Sequence, residues 1–303
     1  MATRIVFFGN ERLATGVTTT APTLTALINA GYEVAAVVAS HHDANSRTKR
    51  ELEIETVASQ HHIPVLLPNR PADIAEQLND LGAEIGVLVA YGRIIPQRII
   101  DIFPRGIINI HPSLLPKHRG SIPVESVIRE GDTHTGVSIM QLVTKMDAGP
   151  VWAQSKFELS GNESKSQLAT RLQADGAGLL LATLPAILNG HARPKPQDEA
   201  EVTTDERITK ADGQLDFSKS AARLEREIRA YLGWPGSYTQ IAGRDVIITA
   251  AHVEDGTVMN QGEVRHDKHS LCIGTSDGVL GIDSLKPAGK REMTSAEFVL
   301  GLR

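Results

Sequence analysis

Short apolar runs alternate with helix-forming stretches along the N-terminal part of the chain, and that rhythm restricts the fold more than any other feature. Ile5-Val-Phe-Phe8 ends at Gly9, Glu33 to Ala39 is rich in Val and Ala, and Pro64 to Leu67, Ile85 to Ala90 and Ile107 to His111 repeat the theme. Each run is too short for a helix and apolar on both faces, as buried parallel strands are. The intervening segments carry helix signals. Pro22 opens a helix to Ala30 that stops at Gly31, and a polar, basic stretch leads into a second, to about Gln60. Asn69 is placed to cap a helix from Pro71 to Leu81, and Pro96 to Phe103 supplies a short one. Strand, helix, strand, helix at this spacing predicts an α/β domain on a doubly wound, mostly parallel sheet.

The pattern then changes. A helix around Pro123 to Glu130 leads to Thr135–Val143, which alternates as a more exposed strand would, and Gly149 to Glu158 reads as a further strand pairing with it in a hairpin or meander. A long helical pattern runs from about Glu163 to Asn189 and ends at Gly190. His191 to Arg207 contains Pro and many charges without apolar periodicity, which reads as a linker or an extended crossing segment. Beyond it, Ala221 to Tyr231 places Leu224, Ile228 and Tyr231 on one helical face. Short alternating runs follow at 238–241, 246–251, 262–265, 270–275 and 279–285, separated by Gly-rich turns, as in a small antiparallel barrel. At 303 residues there is chain enough for two cores, here 1–190 and 208–303 joined by 191–207.

Composition removes several kinds of function. A formal charge of −5 gives no general attraction to nucleic acid or anionic membrane, so contact with either would rest on local patches. No apolar run is long enough to span a bilayer, and the chain enters its first strand pattern without a signal peptide, so a cytoplasmic setting is expected. The single cysteine, Cys272, lies in an alternating segment as a small hydrophobe would. Asn10 to Gly16 lacks the G-x-G-x-x-G spacing of a dinucleotide loop. The eleven histidines include the adjacent pairs His41-His42 and His61-His62, whose side chains diverge on helix or strand, so no metal site is expected.

Chemistry gathers at one stretch, Asn109-Ile-His111-Pro-Ser113-Leu114-Leu115-Pro116, followed by Met146-Asp147-Ala-Gly149. Asn109 and His111 are two apart, so a strand points both to one face, at the end where open α/β sheets bind ligands. An amide donor beside an imidazole can hold a developing oxyanion and move a proton, as acyl transfer to an amine requires. Asp147, in a turn after an apolar strand, can orient the histidine and stabilise its charged form. Singly, such residues serve as local hydrogen-bonding and turn positions; together, each at a strand end, they mark a site. No serine sits in a nucleophile elbow, so no covalent acyl-enzyme is expected. Two basic groups, Arg47, Lys49 and Arg50, and Lys286, Lys290 and Arg291, are either solvated faces or phosphate contacts.

The central stretch resembles the folate-dependent formyltransferases, whose signature is Asn-x-His-x-Ser-Leu-Leu-Pro followed by an Asp-x-Gly turn. Arg119-Gly120, the Gly131 to Gly136 run and Val89 to Gly92 fit the same family. Ile228 to Gly236 and Leu285 to Met293 resemble the C-terminal domain of its methionyl-tRNA formyltransferase members. The resemblance implies a Rossmann-like formyltransferase fold over 1–190 and an OB-like tRNA-binding domain over 208–303; a monomer is expected. It implies 10-formyltetrahydrofolate as formyl donor and initiator methionyl-tRNA as partner. It implies catalysis by Asn109, His111 and Asp147, with Ser113, Leu114, Leu115, Pro116, Tyr91 and Gly92 beside the folate. The basic groups at Arg47 to Arg50 and Lys286 to Arg291 would then meet the tRNA. Gly9-Asn10-Glu11 replaces the family's usual Gly-Thr-Pro, and 41–50 keeps its basic residues but has no Pro or Gly. A formyltransferase for an amino sugar nucleotide, or a nonenzymatic tRNA-binding protein on the same scaffold, are the alternatives.

Overall fold

The computed structural model describes residues 2–40 and 52–302. It divides into two compact units: Met1–Pro123 with His134–Glu158 and Ser166–Glu206, and Val124–Thr133 with Leu159–Lys165 and Arg207–Arg303. The stretch read as a linker thus belongs, through Glu206, to the first unit.

The early elements follow the apolar rhythm: β1 (Arg4–Gly9), α1 (Pro22–Asn29), β2 (Glu33–Val38), α2 (Glu53–Gln60), β3 (Val65–Leu66), α3 (Ala75–Asp80), β4 (Ile85–Val89), α4 (Gln97–Ile100) and β5 (Ile107–His111). Then come β6 (Arg119–Gly120), α5 (Pro123–Glu130), β7 (His134–Gln141), β8 (Val151–Glu158), α6 (Lys165–Leu188) and β9 (Thr204–Asp205). The large sheet has the order β3-β2-β1-β4-β5-β7-β8. Pairing is parallel from β3 to β5 and antiparallel from β5 through β8. The chain moves outward one way from β1 and returns to build the other way from β4. The crevice between their C-terminal ends is where such sheets take ligands.

Local chemistry explains both agreement and departure. Gly9 has φ of 123°, and a Cβ there would lie 1.8 Å from the Val89 carbonyl oxygen, so no larger residue fits where β1 passes β4. Ala21 precedes α1 without a side-chain cap. The buried Glu11 supplies one from a distance, accepting the Thr23 and Leu24 N–H groups at 2.8 Å each. Asn69 is not a cap. Arg70 occupies that position, its N–H donating to Asp73 at 3.2 Å, and the expected helix divides into a 3-10 turn at Pro71–Ile74 and α3.

The expectation of a more exposed strand at β7 is corrected: Thr135 to Met140 are all buried, because β7 runs between β5 and β8. Its polar residues do internal work. Ser138 Oγ donates to the Ser113 carbonyl at 2.7 Å and accepts the Leu115 N–H at 3.0 Å, so this interior hydroxyl holds the loop after β5. Gly176 lets α6 lie close on the sheet, since a Cβ there would meet Ile110 Cγ2 at 2.8 Å. Phe8 packs edge-on against Tyr91 and Phe103, with ring centroids 5.9 and 5.8 Å apart, and anchors the core beneath the crevice.

The second unit contains α7 (Ala221–Tyr231), β10 (Ser237–Ile241), β11 (Arg244–Glu254), β12 (Val264–His266), β13 (Leu271–Gly274), β14 (Val279–Pro287), β15 (Met293–Thr294) and α8 (Ser295–Leu300). Its antiparallel sheet runs β10-β11-β14-β13-β12, with β15 on β14. Leu224 and Ile228 from α7 and Phe298 from α8 enter one core with Ile248, Ile273, Leu280 and Leu285. This is the OB-like sheet, curled and partly open, with no pairing between β10 and β12 among the described residues.

Candidate active site

β5 carries the central pair. It is clamped by parallel pairing with β4, Leu88 opposite Asn109, and antiparallel pairing with β7, Met140 opposite Asn109 and Ser138 opposite His111. Strand alternation sends Ile108 and Ile110 to one face and Asn109 and His111 to the other. Both polar side chains are buried. Asp147 reaches them from the turn after β7, where its φ of 46° is left-handed. Gly149 makes that turn possible, because a Cβ there would sit 1.8 Å from the Gln141 carbonyl oxygen.

The trio converges around Asp147. Its Oδ1 accepts a long hydrogen bond from Asn109 Nδ2 at 3.4 Å, and its Oδ2 accepts the Gly120 N–H at 2.9 Å. Oδ2 also lies 3.7 Å from His111 Nδ1, an ion-pair distance once the imidazole is protonated. His111 Nε2 is 2.8 Å from the His118 carbonyl oxygen. A carbonyl can only accept, so Nε2 carries the hydrogen and the neutral ring keeps its lone pair on Nδ1. Asn109 has two amide hydrogens and gives one to Asp147, which leaves one for a ligand.

Support arrives from the stretch read as a linker, and nothing in its periodicity could have announced it. Gln197 Nε2 donates to the carbonyls of Asp147 and Gly149, each at 2.7 Å. The buried Arg119 donates to Gln197 at 3.0 Å and pairs with Glu199 at 2.8 Å. Glu199 is held below the usual carboxylate range, first by its hydrogen bond from Arg119 and then by Lys145.

The trio opens on a cleft of about 500 Å³, a size suited to a small-molecule ligand. Tyr91 and Gly92 line it with Leu88, Ile95, Leu142 and Val143, as do Asn10 and Arg12, neither of which the sequence singles out. Ser113, Leu114, Leu115 and Pro116 do not line it. Ser113 and Leu115 are buried, Ser113 Oγ donates to the Lys117 carbonyl at 2.7 Å, and Leu114 packs beside Gly136 of β7. The motif therefore shapes the wall rather than forming its surface. Tyr91 is buried, its hydroxyl has no hydrogen-bond partner among the described residues, and burial pushes its pKa up.

The basic residues separate. Arg47, Lys49 and Arg50 lie outside the described residues. Lys286 lines a cleft of about 820 Å³ in the second unit with Lys210, Gln214, Pro235 and Tyr238. Lys290 and Arg291 do not line it, and Arg291 pairs with Glu297 at 2.8 Å. Among the described residues no group of three or more His, Cys, Asp or Glu gathers as a metal site would, and no helix is long and apolar enough to cross a membrane. Burial raises the pKa of Cys272 above the usual thiol range, the reverse of an activated nucleophile.

Comparison with known proteins agrees with this geometry. Residues 3–184 match the formyl transferase family model, and 207–303 match the formyl transferase C-terminal domain. The chain is 37% identical to the methionyl-tRNA formyltransferase of Roseiflexus castenholzii, covering 100% of this chain and 97% of that one. It is 34% identical to that of Pseudoalteromonas translucida, over 98% and 94%. A solved N-formyltransferase from Helicobacter canadensis, bound to folinic acid and dTDP-3-aminofucose, shares the fold with a TM-score of 0.71 at 17% identity, over 97% and 100%. With both domains matched and full-length identity of this order, the chain belongs to the formyl transferase family, among its methionyl-tRNA formyltransferases.

Proposed function

We propose that the protein transfers the formyl group of 10-formyltetrahydrofolate to the amino group of methionine on initiator tRNA, with Asn109, His111 and Asp147 as its catalytic residues. The observation that carries this is the convergence of the three at the mouth of an apolar cleft. The donor fits that cleft: Leu88, Ile95, Leu142 and Val143 suit a flat pterin, and Gly92 leaves main chain open to a ligand. When bound, the folate supplies an activated formyl carbon. The protein's residues do the rest.

Asn109 directs its remaining amide hydrogen at the oxygen that gains charge as the amine adds to that carbon. His111 Nδ1 takes the proton that the amine must lose, and Asp147 stabilises the imidazolium across 3.7 Å. His111 then returns the proton to the departing folate nitrogen as the C–N bond breaks. The contacts of 3.4 and 3.7 Å are long, and binding of substrate would shorten them. The tRNA-facing surface in this reading includes Lys286 and Lys210 of the second cleft, with Lys290, Arg291, Arg47, Lys49 and Arg50 as further phosphate contacts. The enzyme acts as a cytoplasmic monomer.

The acceptor decides between this reading and an amino sugar formyltransferase. Incubation with labelled 10-formyltetrahydrofolate and either methionyl-initiator tRNA or an amino sugar nucleotide should put label on the tRNA. Label on the sugar alone would overturn the proposal.

A further inference from the structure

The segment His118–Gly120 touches both acid–base side chains of the site. His111 donates from Nε2 to the His118 carbonyl at 2.8 Å, and Gly120 donates its N–H to Asp147 Oδ2 at 2.9 Å. The position of three residues therefore sets the positions of both. Yet His118 holds a left-handed backbone, φ 57°, which residues with a β-carbon rarely adopt unless their surroundings enforce it.

The enforcement comes from 203–205. Thr203 Oγ1 accepts the His118 N–H at 2.8 Å, and the Thr203 carbonyl accepts the Arg119 N–H at 2.9 Å. β6 and β9 pair in parallel, Arg119 with Thr204 and Gly120 with Asp205. Gly120 permits this approach, since a Cβ there would lie 2.6 Å from the Asp205 carbonyl oxygen. A side-chain ion pair across this junction joins His118 Nδ1 to Asp205 Oδ2 at 3.2 Å, with the two side chains 9% and 6% exposed. A hydrogen-bonded pair this buried has a fixed geometry, and losing one member loosens the other.

We propose that His118 and Asp205 are positioning residues for formyl transfer: their buried pair locks the His118 carbonyl, which in turn holds His111 as the Nε2–H tautomer with Nδ1 free to accept a proton. This rests on the assignment of His111 as the catalytic base. Neither residue touches the cleft, and both act through the backbone between them and the site.

Nitrogen NMR of the full-length protein labelled at histidine reads the lock without reference to turnover. In the wild type, neutral His111 should be the Nε2–H tautomer alone; the Nδ1–H tautomer there would overturn the proposal however any variant folds. Asp205→Ala should give a mixture of tautomers and lower kcat about 10- to 100-fold, with KM for the folate unchanged. Asp205→Asn keeps an acceptor for His118 Nδ1 and should retain most of the rate. In a His111→Ala background, Asp205→Ala should cost nothing further. A folded Asp205→Ala protein with an unchanged tautomer, or an equal loss with and without His111, would contradict the pair's role. If His111→Ala itself transfers formyl at the wild-type rate, the catalytic assignment fails, while the wild-type spectrum still judges the lock.

Discussion

Asn109 shows how much of the site one residue's bonding can settle. It gives one amide hydrogen to Asp147 and keeps the other, so in the proposed reaction Asn109→Ala would remove a donor that matters only as charge develops on the formyl oxygen. Its kcat should fall about 10²- to 10³-fold with little change in KM for the folate, measured in steady-state formylation. A loss confined to KM would make Asn109 a binding residue. At this scale the sequence was informative wherever a period or a turn fixes direction. A spacing of two put Asn109 and His111 on one strand face, and Gly149 marked the turn that presents Asp147. Ser113 to Pro116 lie outside the cleft's lining because β5 ends at His111, and beyond a strand's end alternation no longer says which way a side chain points. Gln197, Thr203 and Asp205 were hidden for another reason. Their partners are distant in sequence, and a charged, aperiodic stretch looks the same whether it is solvated or built into a wall.

Among the elements, α1 is the instructive case. It starts without a local cap, and Glu11, well upstream, fills that role through two backbone bonds while burial raises its pKa. This gives the departure from Gly-Thr-Pro at 9–11 a structural purpose. Glu11→Ala should destabilise the first unit by about 1–3 kcal/mol in urea unfolding, because two buried donors lose their acceptor. A change within error would mean that water caps the helix as well as the carboxylate does.

On β11, His252 lies between Glu254 and Asp283, each at 2.9 Å, and the hydrogen bond to Glu254 is the first cause of its raised pKa. A raised folded pKa means stability present in full below 6.5 and lost as pH rises through the folded value. Wild type should therefore melt slightly above His252→Gln at pH near 6 and equally at pH near 9, with about 0.2–1 kcal/mol at stake because the group is half exposed. A gap that widens with pH would reverse the assignment. Strands and helices were legible as elements because apolar period and Gly or Pro punctuation are local. The burial of β7 was not, since Thr135 and Ser138 look like solvent-facing residues until their neighbours β5 and β8 are known.

For the whole molecule, the parallel-sheet rhythm and the late run of short strands were enough to anticipate an α/β domain followed by an OB-like one. Function needed the motif as well, because many chemistries share this sheet. The surfaces proposed to read the acceptor are located by the sequence only in part: Lys286 was legible as part of a basic group, while Lys210 joins it only through the fold. Replacing both with Ala should weaken tRNA binding and lower the slope of log Kd against log salt by about one for each lysine that meets a phosphate. An unchanged slope would remove that cleft from the tRNA interface. The proposed reaction is noncovalent formyl transfer to charged initiator tRNA, with His111 as proton carrier. Single-turnover formylation of methionyl-initiator tRNA by wild type and His111→Ala tests it most directly. The wild type should yield formyl-methionyl-tRNA and the variant a rate about 10²- to 10⁴-fold lower, with folate binding intact; equal rates from the two proteins would rule out His111 as the proton carrier.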